Sequence, residues 1–287
     1  MKSSERSSTG RSRSIVILII CHLAAALLYY SWYQTQEITI NKDGVKILEY
    51  AAAGSGGFWK QLDYNVFGNL NGGLRDNRTA QMIWAAANNR AFDLVSAALL
   101  GLVVWISVFR KAIPEERLEQ LKVGIFLLIV TVVLVQAFRF TVFDFSRLSP
   151  SLIITDLAVR LSQLDHITWT LKDTSASSFP GDHGAVLLVG VVYITYFSGR
   201  RWGALAIMVA ILCALPRLIA GAHWATDILV GSTFITLVSS SWSLCLKDWQ
   251  FGPRLLHRPC LCLMKIARQA VPDTDSSGSF SSPDGKE

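Results

Sequence analysis

His223 and Asp227 stand four residues apart in PRLIAGAHWATD, and Arg217 precedes His223 by six. At a helix start, positions i and i+4 share one face. A carboxylate at 227 can therefore accept the proton of one imidazole nitrogen and leave the other lone pair free. A histidine acting as nucleophile or base needs that arrangement. The small residues Ala220-Gly221-Ala222 let the chain fold back between Arg217 and His223. A second histidine, His183, ends SFPGDH and opens the apolar run AVLLVGVVYITYF at 185–197. Its predicted place is a helix N-terminus, where unpaired backbone N–H groups favour an anion. Asp182 beside it reads first as the N-cap of that helix and only second as a catalytic group.

Further cations lie nearby in the sequence: Arg139 in QAFRFTVF, Arg147 in FSRLSP and Lys172 in TLKDTSASSFPGDH. Taken singly, each such residue is an interfacial side chain that snorkels to headgroups. Two histidines, one beside Asp227, ringed by Arg and Lys at one membrane face, suit phosphoryl transfer on a lipid phosphate. Guanidinium groups grip phosphoryl oxygens in pairs and stabilise transition-state charge. One imidazole attacks phosphorus and the other protonates the leaving oxygen. This chemistry requires no metal site and no cofactor. A reading from another class keeps the cluster only to hold an anion, in a lipid-binding or transport protein. It predicts that His223→Ala is tolerated while Arg217→Ala is not.

The elements that must position these residues are membrane spans. The chain has 287 residues, of which 51% are hydrophobic and 17% charged. A soluble domain carries about a quarter charged residues. Apolar runs at 15–33, 92–109, 123–143, 185–197, 202–215 and 225–246 predict an all-α, polytopic bundle of six transmembrane helices in one domain, 15–246. Lys and Arg cluster in the tail 1–14, around 110–122, at 200–201 and in the tail 247–287. Six spans put all four on one side, the cytoplasmic one by the positive-inside rule. The net charge of +6 is thereby read as membrane orientation, and no nucleic acid partner is expected. Loops 34–91 and 144–183 then face the opposite compartment, with the candidate site.

Within the first loop, 34–57 reads as flexible because of AAAGSGG. Residues 58–70, FWKQLDYNVFGNL, place Phe58, Trp59, Leu62, Val66 and Phe67 roughly on one helical face. That is either an interfacial amphipathic helix or a folded loop packing on the bundle. The turn Asn88-Asn89-Arg90 is a candidate contact for an acceptor headgroup, or simply a helix start. The tail from about 271 reads as disordered. Five cysteines, none in a C-x-x-C pair, argue against a disulfide framework or structural zinc site.

The residues in hand resemble the type 2 phosphatidic acid phosphatase superfamily. Its third motif, Ser-Arg-x5-His-x3-Asp, is matched by Pro216-Arg217-x5-His223-x3-Asp227, with Pro in place of Ser. Its second, Pro-Ser-Gly-His, is matched by Pro180-Gly181-Asp182-His183, with two substitutions in the middle. Its first, Lys-x6-Arg-Pro, fits poorly: Arg139 and Arg147 are eight apart, and Pro150 follows three later. The resemblance implies that His223 is the phosphoryl-accepting nucleophile, Asp227 its orienting partner and His183 the general acid. Arg217 and Arg147 would clamp phosphate. Arg139 is the candidate for the first-motif lysine, with Lys172 its competitor. The blocks WAAANNRAFD, SPSLIITD, LKDTSASSFPGDHG and PRLIAGAHWATDILVGS are similar to the lipid A 1-phosphate phosphotransferase branch. That branch implies undecaprenyl diphosphate as donor, lipid A as acceptor, and a periplasmic site on a bacterial inner membrane. Spacing leaves open whether water or a second lipid takes the phosphoryl group from His223.

Overall fold

The computed structural model describes residues 2–50, 57–89, 91–110, 112–141, 144–248 and 256–261. The chain is a helical membrane protein. Helix α1 is Lys2–Tyr33, and its apolar part Ser12–Tyr33 is long enough to cross a bilayer. The expected tail 1–14 is thus partly helical, continuous with the span. A hairpin follows, β1 (Gln36–Ile40) against β2 (Lys46–Tyr50), then α2 (Phe58–Gly72) and α3 (Arg78–Ala87). Helix α4 (Ala91–Val104) continues through a π turn to Phe109. Helix α5 is Pro114–Thr141, opened by a proline whose missing N–H costs nothing at a first turn. A short turn, α6 (Pro150–Ile153), precedes α7 (Asp182–Ser198) and α8 (Arg200–Ile219). A π turn, Asp227–Ser232, leads into α9 (Thr233–Asp248).

Five of the six expected spans are helices of at least 19 residues, and α7 has 17. At 1.5 Å per residue, α7 is about 25 Å long, short of the ~30 Å hydrocarbon thickness. The last span, Asp227–Cys245, is the bundle's axis: 61% of its most apolar stretch is buried, against 11% for Ser12–Tyr33 of α1, which lies along it at the margin. The inward face of the π turn and α9 mixes Val230, Ile235 and Val238 with Ser232, Thr236, Ser239 and Ser241, all buried. Small hydroxyl residues suit this place, since they bond to carbonyls of their own helix and let neighbours approach. Leu23, Leu27, Leu94, Val133 and Leu212 point outward and are exposed, as lipid-facing positions are.

The expectation of a flexible 34–57 does not hold for the hairpin; residues 51–56 lie outside the described set. The signals are local. Asn41 Oδ1 accepts the N–H groups of Asp43 and Val45, and Gly44 takes the left-handed conformation (φ 77°) that closes the turn. Strand β2 is also held from its far edge, where Leu48 donates to the Ser146 carbonyl at 2.9 Å and Ser146 donates to that of Lys46 at 2.8 Å.

Helix α2 packs on the bundle, the second of the two alternatives open for it. Its buried face is Asp63, Phe67 and Asn71, a stripe at i+4 steps, while Phe58 stays exposed. Asn71 donates to the Ile219 carbonyl at the end of α8, at 2.9 Å.

The tie between cap and bundle is ionic. Arg147, only 2% exposed, donates to Asp63 at 2.8 Å, to Asp227 at 2.5 Å, to the Thr226 hydroxyl at 2.9 Å and to the Tyr50 hydroxyl at 3.2 Å. Asp63 also accepts the N–H and hydroxyl of Thr226, at 2.8 and 2.6 Å, and the Tyr50 hydroxyl at 2.6 Å. The guanidinium lies 5.0 Å from the Trp32 ring and 5.4 Å from those of Tyr50 and Trp224, within cation–π range. Burial works against the charged form of Arg147. The carboxylates of Asp227 and Asp63 outweigh it and hold the group above the usual arginine value. Asp63→Ala leaves Arg147 with a buried charge half compensated and should cost about 3–5 kcal/mol, read as a lowered unfolding temperature in detergent.

Candidate active site

The nucleophile candidate sits in a turn, just ahead of the last span. Helix α8 ends at Ile219, and Gly221 turns the chain with φ 78°. A Cβ there would meet Phe67 at 2.8 Å and Ser151 at 3.0 Å, so both conformation and space require glycine. The Ser151 hydroxyl lies 2.9 Å from the Gly221 carbonyl and fixes the turn from the loop side. His223 follows, 5% exposed.

Two acceptors face His223 Nδ1: the Ser178 carbonyl at 2.9 Å and Asp227 Oδ2 at 3.4 Å. The same Asp227 oxygen accepts the Trp224 N–H at 2.8 Å, and its other oxygen takes Arg147. Both acceptors require a proton on Nδ1, which leaves the lone pair on Nε2. That atom is buried and has no hydrogen-bond partner. Sequence spacing pointed to Asp227 as the orienting group; in the fold the nearer acceptor is a backbone carbonyl 45 residues upstream in the chain.

A cavity of about 260 Å³ joins His223, His183, Asp182, Arg217 and Asp93, with apolar walls that include Ala97, Leu100 and Leu187. Helix α7 delivers His183 from its first turn. Gly184 allows this approach, because a Cβ there would run into the Ser232 side chain. His183 Nδ1 is 2.8 Å from Asp182 Oδ1, and Nε2 is 3.4 Å from Asp93 Oδ2. An imidazole between two carboxylates can satisfy both only as the cation, which is the form a general acid needs. Arg217, at the end of α8, donates to the Asn88 carbonyl at 2.9 Å, to the Asn88 side-chain oxygen, and to Asp93 Oδ1 at 2.6 Å. Asp182, His183 and His223 bring ligand-type atoms within 4.8 Å of one another, the one such grouping of possible metal ligands among the described residues. The same closeness brings the two imidazoles to one end of the cavity.

The fold thus brings together His223, His183, Asp227 and Arg217. It sets the other expected residues apart. Arg147 lies in the ion network described above, with its donors taken by protein acceptors, and does not line the cavity; its placement fits a structural role rather than a phosphate clamp. Arg139 is in the last turn of α5, off the cavity, with Nε lacking a partner. Lys172 does not line the cavity; its backbone pairs with Asn88. Asn89 caps α4, accepting the Ala91 N–H at 2.9 Å and donating to the Thr170 carbonyl at 3.3 Å. Arg90 lies outside the described residues. Asp93, Asp63 and Ser178 were not singled out as site residues from sequence, and Asn88, expected as part of an acceptor contact, instead holds Arg217. Asp93 has the look of an acid placed in a first helical turn for the macrodipole, and a carbonyl acceptor such as that of Ser178 has no side-chain signature at all.

Residues 145–251 match the PAP2 superfamily. Lipid A 1-diphosphate synthase of Escherichia coli (strain K12) is 31% identical over 227 residues, covering 79% of this chain and 86% of that protein. The chain belongs to the PAP2 superfamily. No solved structure matches it.

PAP2 membership supports an enzyme of the lipid-phosphate phosphatase and phosphotransferase kind. The matched segment contains His183, Arg217, His223 and Asp227, but it leaves out Asp63, Asn88 and Asp93. Residues of the N-terminal third thus hold Arg217, through Asn88 and Asp93, and brace the turn before Asp227 through Asp63. Gly221→Ala forces a side chain into a left-handed turn against Phe67. It should destabilise the protein by about 1–3 kcal/mol and lower kcat more than it raises KM, because His223 moves off its line; steady-state kinetics together with thermal unfolding check both.

Proposed function

We propose that the protein transfers a phosphoryl group from undecaprenyl diphosphate to the 1-phosphate of lipid A, through a phosphohistidine on His223. The reading places the cavity at the periplasmic face of a bacterial inner membrane spanned six times, with both termini cytoplasmic. The observation that carries it is His223 Nε2: buried, without a partner, and facing the same cavity as His183 and Arg217.

In the first half-reaction Nε2 attacks the terminal phosphorus of the donor. The N–P bond forms as the bridging P–O bond breaks. His183 gives its Nε2 proton to the departing undecaprenyl phosphate oxygen. Arg217 stabilises the charge gathering on the phosphoryl oxygens. The Ser178 carbonyl keeps the Nδ1 proton in place, and Asp227 balances the positive charge that the ring acquires. In the second half-reaction an oxygen of the lipid A 1-phosphate attacks the same phosphorus. His223 leaves as neutral imidazole, and His183 takes any proton the acceptor sheds. The electron count closes without a cofactor.

A second reading, hydrolysis of the lipid phosphate, rests on one feature. The side chains of His183 and Asp93 are 40% and 37% exposed, so water has a route to the intermediate. Mass spectrometry of lipid A from cells with and without the protein tests transfer; the expected outcome is one added phosphate. Rapid release of inorganic phosphate from the donor, unaffected by adding lipid A, would decide for the hydrolase. In either case Arg217→Ala should lower kcat by about 10²–10³.

A further inference from the structure

Asp93 holds a place that the proposed reaction needs for phosphate. Its carboxylate stands in the cavity from the first turn of α4. One oxygen takes Arg217 Nη2 at 2.6 Å, and the other lies 3.4 Å from His183 Nε2. These are the clamp and the acid, the two groups that must face phosphoryl oxygens. A carboxylate meets a guanidinium in much the way a phosphate does. It cannot share the position, because like charges at contact distance repel strongly in a partly desolvated site.

The surroundings allow the carboxylate to leave. The Asp93 side chain is 37% exposed, so it can turn toward solvent without opening a packed core. Arg217 would not be released with it, since the Asn88 backbone and side-chain oxygens keep their bonds to its other nitrogen. Displacing Asp93 costs free energy, and incoming ligands differ in what they bring against that cost. A lipid-borne phosphate can lay its chain along Ala97, Leu100, Val186 and Leu187 and gain from apolar burial. Free phosphate gains nothing there.

We propose that Asp93 is a specificity determinant: it holds the phosphoryl position between Arg217 and His183 against free phosphate and yields it to phosphate carried on a lipid. The inference rests on the phosphotransfer reading for the identity of the ligand.

The test is inhibition by inorganic phosphate of the purified full chain in detergent, turning over undecaprenyl diphosphate. Asp93→Asn keeps the size and removes the charge. Its inhibition constant for phosphate should fall on the order of tenfold, with a smaller fall in KM for the lipid and a lower kcat. Asp93→Ser, measured alongside, should move the same way, and Asp93→Glu should keep the weak phosphate inhibition of the parent. Folded Asn and Ser variants inhibited no more strongly than the parent would overturn the proposal, as would a Glu variant that gains as much as Asn. If the parent itself shows neither transfer nor phosphate release, the phosphotransfer reading fails instead. Phosphate binding measured by calorimetry on parent and Asn variant then still reads the effect of Asp93.

Discussion

A guanidinium without water must have carboxylates, and in this protein it has two. Arg147 is bonded to Asp63 of α2 and to Asp227 at the start of the last span, at 2.8 and 2.5 Å. Asp63 is satisfied only when the loop of Arg147 and the turn of Thr226 have both arrived, since a lone charge buried here would cost several kcal/mol. The hairpin joins through Tyr50, and the loop before α7 joins through the Ser178 N–H on the Arg147 carbonyl at 2.8 Å. Segments far apart in sequence are thereby fixed around one charge. The turn that carries His223 is among them, so the orientation of the nucleophile candidate follows from a network that never touches the cavity.

Buried and half-exposed charges divide the labour. Arg147, Asp63 and Asp227 are sealed and hold shape. His183 and Asp93 are partly open and can change partners. Arg217 stands between the two groups: buried, anchored on Asn88, yet with one nitrogen turned to Asp93. A site for an anionic lipid headgroup needs both kinds of residue. A rigid frame aims the imidazoles, and a few loosely held charges can be exchanged for those of the ligand.

Much of this was legible beforehand. The helical class, the approximate spans and the convergence of His183 with His223 followed from apolar run lengths and from helices returning to the same end of a bundle. The function of Arg147 was harder to read, because a clamp and a structural ion pair have the same residue type and differ only in what surrounds them. The partners that decide this, Asp63 and Tyr50, are 84 and 97 residues away, and periodicity carries no information over such separations. The hairpin at 36–50 was masked by the glycine-rich stretch after it, although Asn41-Lys42-Asp43-Gly44 is a recognisable turn signal. The buried face of α2 was only partly read for a physical reason as well: its stripe of Asp63, Phe67 and Asn71 opens on an acid, and an apolar-face count passes over an aspartate whose partner is an arginine in another loop.

The central claim is that His223 Nε2 becomes covalently bonded to phosphorus. Brief reaction with donor labelled in its terminal phosphate, followed by alkaline quench and peptide mapping, tests it directly. The account predicts an acid-labile, alkali-stable phosphoryl group on the peptide containing His223, and no label in His223→Ala. A label that survives in His223→Ala, or one that maps to His183, would contradict it.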